Sequence, residues 1–127
     1  MPVKSYKDLV VWQKSFTLAK EIYSLTHELP RNEEFGLVSQ IRRSAISVPS
    51  NIAEGQQRNN RGEYKQFIGV AKGSAAELET QLMLISEIYS IDVKQALTLL
   101  EEVQKMLGSL SRKLSLKPNT YTLAPGT

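Results

Sequence analysis

The chain has 127 residues, 41% of them hydrophobic and 23% charged, a balance that supports one folded domain with a single core and excludes a disordered polymer. It has no cysteine, which excludes disulfides and thiolate metal sites and suits a reducing compartment. The net charge is only +3, Met1-Pro2-Val3-Lys4-Ser5 lacks the apolar stretch of a signal peptide, and no apolar run approaches the roughly 18 residues of a membrane span, so the expected location is the cytoplasm.

Four segments carry helical periodicity and none alternates like a strand. The first is predicted over Ser5 to Glu28, with Leu9, Trp12, Phe16, Ala19 and Tyr23 on one seam and Pro30 closing it. The second begins at Asn32 or Glu34 and runs to Glu54 on the seam Leu37, Ile41, Ala45, Val48 and Ile52, with Pro49 inside it and Gly55 as a left-handed stop. The third opens on an Asn60–Glu63 capping box. Its seam (Tyr64, Ile68, Ala71, Ala75, Leu78, Leu82, Ile85 and Tyr89) steps by four and three over more than three heptads. The fourth starts at Asp92 with Gln95 and follows Val93, Leu97, Leu100, Val103, Leu107, Leu110 and Leu114.

Short connections between four such segments predict an all-α fold, an antiparallel up-down-up-down four-helix bundle over residues 1–114. Residues 115–127, with Pro118, Pro125 and Gly126 and no period, read as a flexible, disordered C-terminal tail. Two helices carry more apolar surface than one core needs. The first adds Val11, Leu18, Ile22, Leu25 and Leu29; the fourth adds Ala96, Leu99, Val103, Met106 and Leu110. Surplus stripes imply burial against other copies of the chain, with a wide seam and some exposed leucines as the alternative.

Charge is zoned. Residues 40–72 carry net +4 through Arg42, Arg43, Arg58, Arg61, Lys65 and Lys72 against Glu54 and Glu63, and residues 73–102 carry net −5. Arg61, Lys65 and Lys72 share a flank of the third helix, Arg58 precedes it and Arg42 adds to the set; all five are candidate nucleic-acid contacts. Bases early in a helix oppose its macrodipole, so something other than helix stability set this order. A phosphate backbone is one explanation; pairing with Glu77 and Glu79 on a neighbouring helix or subunit is the other. No aromatic platform interleaves with these bases, which argues against sequence-specific reading of a single strand.

Signals for catalysis are poor. His27 is the only histidine, so two-histidine metal sites within one chain are impossible, and the Glu-x-x-His pattern of di-iron bundles is missing. Gly69-Val-Ala-Lys-Gly73-Ser74 lacks phosphate-loop spacing and falls mid-helix, where its small residues suit close approach of a neighbouring helix. Glu54 has no carboxylate partner and reads as an ion-pair partner for an arginine. No catalytic residue, cofactor, metal or small-molecule substrate is expected, and no membrane.

The block Gln40–Arg58 is the most distinctive segment. On a helix, Ile41, Ala45, Val48 and Ile52 form a core stripe while Arg43, Ser47, Ser50 and Glu54 form a polar one, with Pro49 between them. Pro49 frees the carbonyl of Ala45 and implies a kink; Ser47, Ser50 and Asn51 are placed to satisfy backbone groups nearby. The polar stripe serves as surface, subunit contact or ligand site. Gln40, Arg42, Arg43, Ser44, Ser47, Pro49, Asn51 to Gly55 and Arg58, with Glu63-Tyr64, Phe67, Ala71, Gly73-Ser74, Glu77-Leu78 and Gln81-Leu82, resemble the family of 23S rRNA-intervening-sequence proteins over residues 6–114. Gln56-Gln57 departs from the glycine frequent there. The resemblance implies an up-down bundle assembled as a cyclic homopentamer, with activity unassigned in the family. It is more distantly similar to the accessory variability protein of diversity-generating retroelements, which binds a reverse transcriptase and nucleic acid. The expectation is a non-catalytic oligomeric scaffold or adaptor, with Arg43, Ser47, Pro49, Asn51, Glu54 and Gly55 shaping the oligomer; the alternative is a nucleic-acid accessory protein using the basic flank.

Overall fold

The computed structural model describes residues 3–116, and within them the chain is all-α. The four helices are α1 (Val10–Thr26), α2 (Ser39–Gln56), α3 (Arg61–Tyr89) and α4 (Lys94–Ser115). α4 thus runs through Ser115, one residue beyond the expected boundary; the rest of the expected tail, 117–127, lies outside the described residues.

Their contacts run antiparallel. Ser47 meets Ser74 while Gly55, further down α2, meets Tyr64 and Phe67, further up the sequence of α3 toward its start. Lys14 pairs with Glu102 at one level of α1 and α4, and Glu79 accepts from Gln104 across α3 and α4 while Arg61 reaches the carbonyl of Lys113. The core is aliphatic and narrow. Ile68, Leu78, Leu82 and Ile85 of α3 are fully buried against Ile41, Val48 and Ile52 of α2, Leu18 and Ile22 of α1, and Leu100 and Leu107 of α4. Each such side chain contributes about 1.5–3 kcal/mol by leaving water. Ala45, Ala71, Ala75 and Ala96 are buried in the same core, and their small side chains let the helices approach closely.

The α3 seam is as its period predicts, with Tyr64 and Tyr89 half-buried at its ends. The seam of α1 is not. Its buried residues are Val11, Ser15, Leu18, Ile22 and Thr26, and the stripe read as surplus is the core stripe. Two stripes of equal period cannot be ranked by period. Ser15 and Thr26 break the apolar run, yet each hydroxyl is satisfied on its own helix, Ser15 donating to Trp12 O (2.9 Å) and Thr26 to Ile22 O (2.8 Å). In α4, too, Ala96 joins the core with Val93, Leu100, Val103 and Leu107, while Leu97, Leu110 and Leu114 are only half-buried.

Helix ends also differ from the pattern. The segment before α2 is a 3-10 turn (Arg31–Glu33) and a π turn (Glu34–Val38) broken at Gly36. Gly55 is not a left-handed stop: among the described residues no glycine has positive φ, and α2 continues to Gln56. The left-handed residue is Ser90 (φ 55°), which ends α3. Asn60 accepts from the Glu63 N–H (2.8 Å), and Glu63 returns to the Asn60 side-chain amide rather than its backbone. Asp92 accepts from the Lys94 N–H, so α4 starts two residues later than Asp92 suggests.

Candidate functional site

The residues expected to carry function lie at two places. The first is the α2–α3 seam. Pro49 is buried, and α2 runs through it unbroken from Ser39 to Gln56. Ser47 does not serve the local backbone; it bonds Ser74 across the interface (2.7 Å), and Asn51 donates to both Ser47 O (2.8 Å) and Ser47 Oγ (3.0 Å). This half-buried hydroxyl–amide chain stitches α2 to α3. One turn on, Gly55 brings the helices so close that a Cβ there would sit 2.8 Å from Phe67 Cβ. Arg58 lies over the Phe67 ring at 4.7 Å and pairs with Glu54 at 3.2 Å and Glu63 at 4.0 Å. Glu54 is therefore an arginine's ion-pair partner, on the surface. Burial raises the hydroxyl pKa of Tyr64 beside Gly55. Burying a small-residue and hydroxyl seam in this way makes Ser47, Asn51 and Gly55 internal packing residues.

The expected basic flank is divided. Arg42 donates to Thr26 Oγ1 (2.9 Å) and to the Tyr23 carbonyl (3.3 Å), its guanidinium 4.3 Å from the Tyr23 ring centre, closing the end of α1 onto α2. Arg58 is held as described, and Arg61 donates to the Lys113 carbonyl at the end of α4 (2.7 Å). Lys65 and Lys72 are exposed and, among the described residues, have no ion-pair partner; the same holds for Arg43. Glu79 takes its hydrogen bond from Gln104, not from a base. Gly69 and Gly73 face open space, so they do not admit a neighbouring helix within the chain; Ala71, Ala75 and Ser74 do that. His27 is exposed at the end of α1.

The second place was not singled out by pattern. The aromatic stripe of α1, read above as a core seam, faces outward over α2. Trp12 stacks on Phe16 (5.0 Å between centroids) and Tyr6 meets Trp12 edge-on (5.3 Å). With Tyr23, Ile46, Pro49 and Ala53 they line an open groove of about 490 Å³ whose one charged lining residue, among the described residues, is Lys20. Phe16 is 48% and Ile46 45% exposed. The groove continues past Tyr23 and Ile46 toward Phe35, 91% exposed beside Glu34. Ile46 and Phe35 were legible signals, since both are large apolar residues off the α2 seam. Among the described residues no three His, Cys, Asp or Glu side chains are grouped to hold a metal, and no helix is long and apolar enough to cross a membrane.

A family match over residues 7–112 takes in α1, α2, α3 and α4 as far as Arg112. The chain belongs to the 23S rRNA-intervening sequence protein family. The fold is similar to a crystal structure of a protein with unknown function from the S23 ribosomal protein family of Bacteroides thetaiotaomicron, with 28% identity and a TM-score of 0.70, covering 81% of this chain and 99% of that one. No curated protein matches. Membership in the family agrees with the resemblance read from the Gln40–Arg58 block, and the structure assigns much of that block to holding α2 against α1 and α3.

Proposed function

We propose that this member of the intervening-sequence protein family is a non-catalytic scaffold that works as a homo-oligomer, with five subunits as the family resemblance implies. One observation carries the reading: the aromatic face of α1 and the Ile46–Ala53 face of α2 form an apolar groove that no described residue covers. Contiguous apolar surface of this kind marks an interaction face. Aromatic side chains bury large area at small entropic loss and serve as anchors at such contacts. The polar chemistry of the groove amounts to Lys20, Ser50 and the tyrosines, without a base positioned near a nucleophile. Light scattering across micromolar concentrations tests the reading: a discrete particle near five times the 14.3 kDa of one chain supports it, and a 14.3 kDa particle throughout rejects it.

A second reading, nucleic-acid binding in partnership with a nucleic-acid enzyme such as a reverse transcriptase, rests on the exposed Lys65 and Lys72. With Arg42, Arg58 and Arg61 engaged within the protein, these two bases neutralise two phosphates and give a log affinity–log salt slope of about −2. Binding of duplex DNA or RNA that survives Lys65→Glu with Lys72→Glu rejects this flank as the contact.

A further inference from the structure

The exposed face of α3 is the counterpart of the groove. Val70, Leu84 and Ile88 are each about half exposed, on the side of α3 away from Ile68, Ala75 and Leu82. Val70, Glu77 and Leu84 are seven residues apart and lie along one line, with Gly73 beside them. A Cβ at Gly73 would meet nothing within 4 Å, so another backbone can come close there. Resting on the self-association reading, we propose that this α3 ridge of one copy seats in the α1–α2 groove of a second copy, a head-to-tail contact between two dissimilar faces.

Height along the bundle supports the pairing. The Ser47–Ser74 hydrogen bond fixes the register of antiparallel α2 and α3. It puts Val70 level with Ser50 and Asn51, Glu77 level with Arg43 and Ser44, and Leu84 level with Leu37, close to Phe35. The Arg42 contact to Tyr23 puts Lys20 near the level of Ile46. A rotation about an axis along the bundle leaves every residue at its own height. Val70 then meets the Phe16–Pro49 part of the groove, Gly73 passes over Pro49 and Ile46, and Leu84 reaches the Phe35 end.

Charge selects the same pairing. Lys20 and Arg43 border the groove and, among the described residues, neither has an acidic partner; Glu77, in the middle of the ridge, has no basic one. Ridge in groove brings Glu77 to Lys20 and Arg43 at one height. Groove on groove would bring two sets of Lys20 and Arg43 to one face with only Glu34 at the Phe35 end to offset them, and ridge on ridge would oppose Glu77 to itself, so the two symmetric arrangements are disfavoured. A contact between unlike faces leaves one groove and one ridge free after each addition, which is the condition for closing a ring.

The test uses the full chain in two variants, Ile46→Asp to block the groove and Leu84→Asp to block the ridge. Both side chains are about half exposed, and circular dichroism verifies folding. Each variant alone is expected to run as a monomer, with association weakened at least ~30-fold. Mixed in equal amounts they are expected to form a two-chain particle, because the ridge of one and the groove of the other are intact. Should Leu84→Asp fail to fold, Gly73→Leu, whose side chain enters open space, blocks the same ridge. A mixture that stays monomeric, or a variant that assembles like wild type, overturns the proposal while leaving self-association standing; a monomeric wild type overturns the scaffold reading itself.

Discussion

Gly55→Ala and Gly69→Ala are the same chemical change and should have opposite signs. At Gly55 a new Cβ would stand 2.8 Å from Phe67 Cβ, 3.0 Å from Tyr64 Cδ1 and 3.3 Å from the Tyr64 carbonyl oxygen. Carbon atoms rest about 3.5–4.0 Å apart, so α2 and α3 must separate by ~1 Å at that level. Overpacking of this kind costs about 1–3 kcal/mol. The better helix propensity of alanine offsets about 0.5–1 kcal/mol, and less near the helix end where Gly55 sits. The net expectation is a loss of about 0.5–2 kcal/mol. Gly69 faces open space inside α3, so alanine there gains about 0.5–1 kcal/mol with nothing to oppose it. Urea unfolding followed by far-UV circular dichroism, at two protein concentrations to separate association from folding, measures both. In a chain of this size 1 kcal/mol moves the melting temperature by about 3–6 °C. A Gly55→Ala protein as stable as wild type would refute the close-approach account of the α2–α3 seam.

Other expectations follow from single contacts. Arg42→Gln removes two hydrogen bonds to Thr26 and Tyr23 and the stacking on the Tyr23 ring, and should destabilise by about 1–3 kcal/mol; an unchanged urea midpoint contradicts its role in joining α1 to α2. Pro49→Ala restores a backbone donor to the Ala45 carbonyl and removes an apolar wall of the groove, so the monomer should be no less stable while assembly weakens; an unchanged oligomer distribution contradicts it. The Tyr89 hydroxyl donates to Glu33, and this hydrogen bond, with desolvation and the Glu33 charge, raises its pKa above 10. A folded-state pKa above the unfolded one gives stability that is present below pH 10 and lost as pH rises through the folded value. Tyr89→Phe should lose less stability than wild type over that alkaline interval, and an equal loss in both would exclude the hydrogen bond as the cause.

Period and capping chemistry made the α3 seam legible, because a long helix with one apolar stripe has one way to face the core. Its Asn60 start was legible for the same local reason, and the signature of the central block placed the chain in its family. The facing of α1 was not legible. Its aromatic stripe and its aliphatic stripe share a period, and Ser15 and Thr26 made the truly buried one look secondary. Burial settles the choice: the aliphatic stripe enters the core beside Ala45, Ala71, Ala75 and Ala96, while Trp12 packs on the core's edge and Phe16 stays half exposed. The role of the bases was hidden for a different reason. Arg42 and Arg61 find their partners on other helices or in a carbonyl at a helix end, where no sequence window contains both groups, and Arg58 adds the Phe67 ring of α3 to its pair with Glu54 four residues away. Gly55 was read from a local stop rule, whereas its use is tertiary, against Phe67 and Tyr64.

The only tryptophan of the chain, Trp12, stacks on Phe16 at the groove and reports directly on whether that face is covered. Acrylamide quenching and emission maximum, followed as the protein is diluted from high to low concentration, measure its exposure. A blue-shifted, protected Trp12 at high concentration that turns red-shifted and quenchable on dilution is the predicted result. Emission and quenching independent of concentration, in a protein whose scattering mass stays at 14.3 kDa, would contradict an assembly built on the α1–α2 groove.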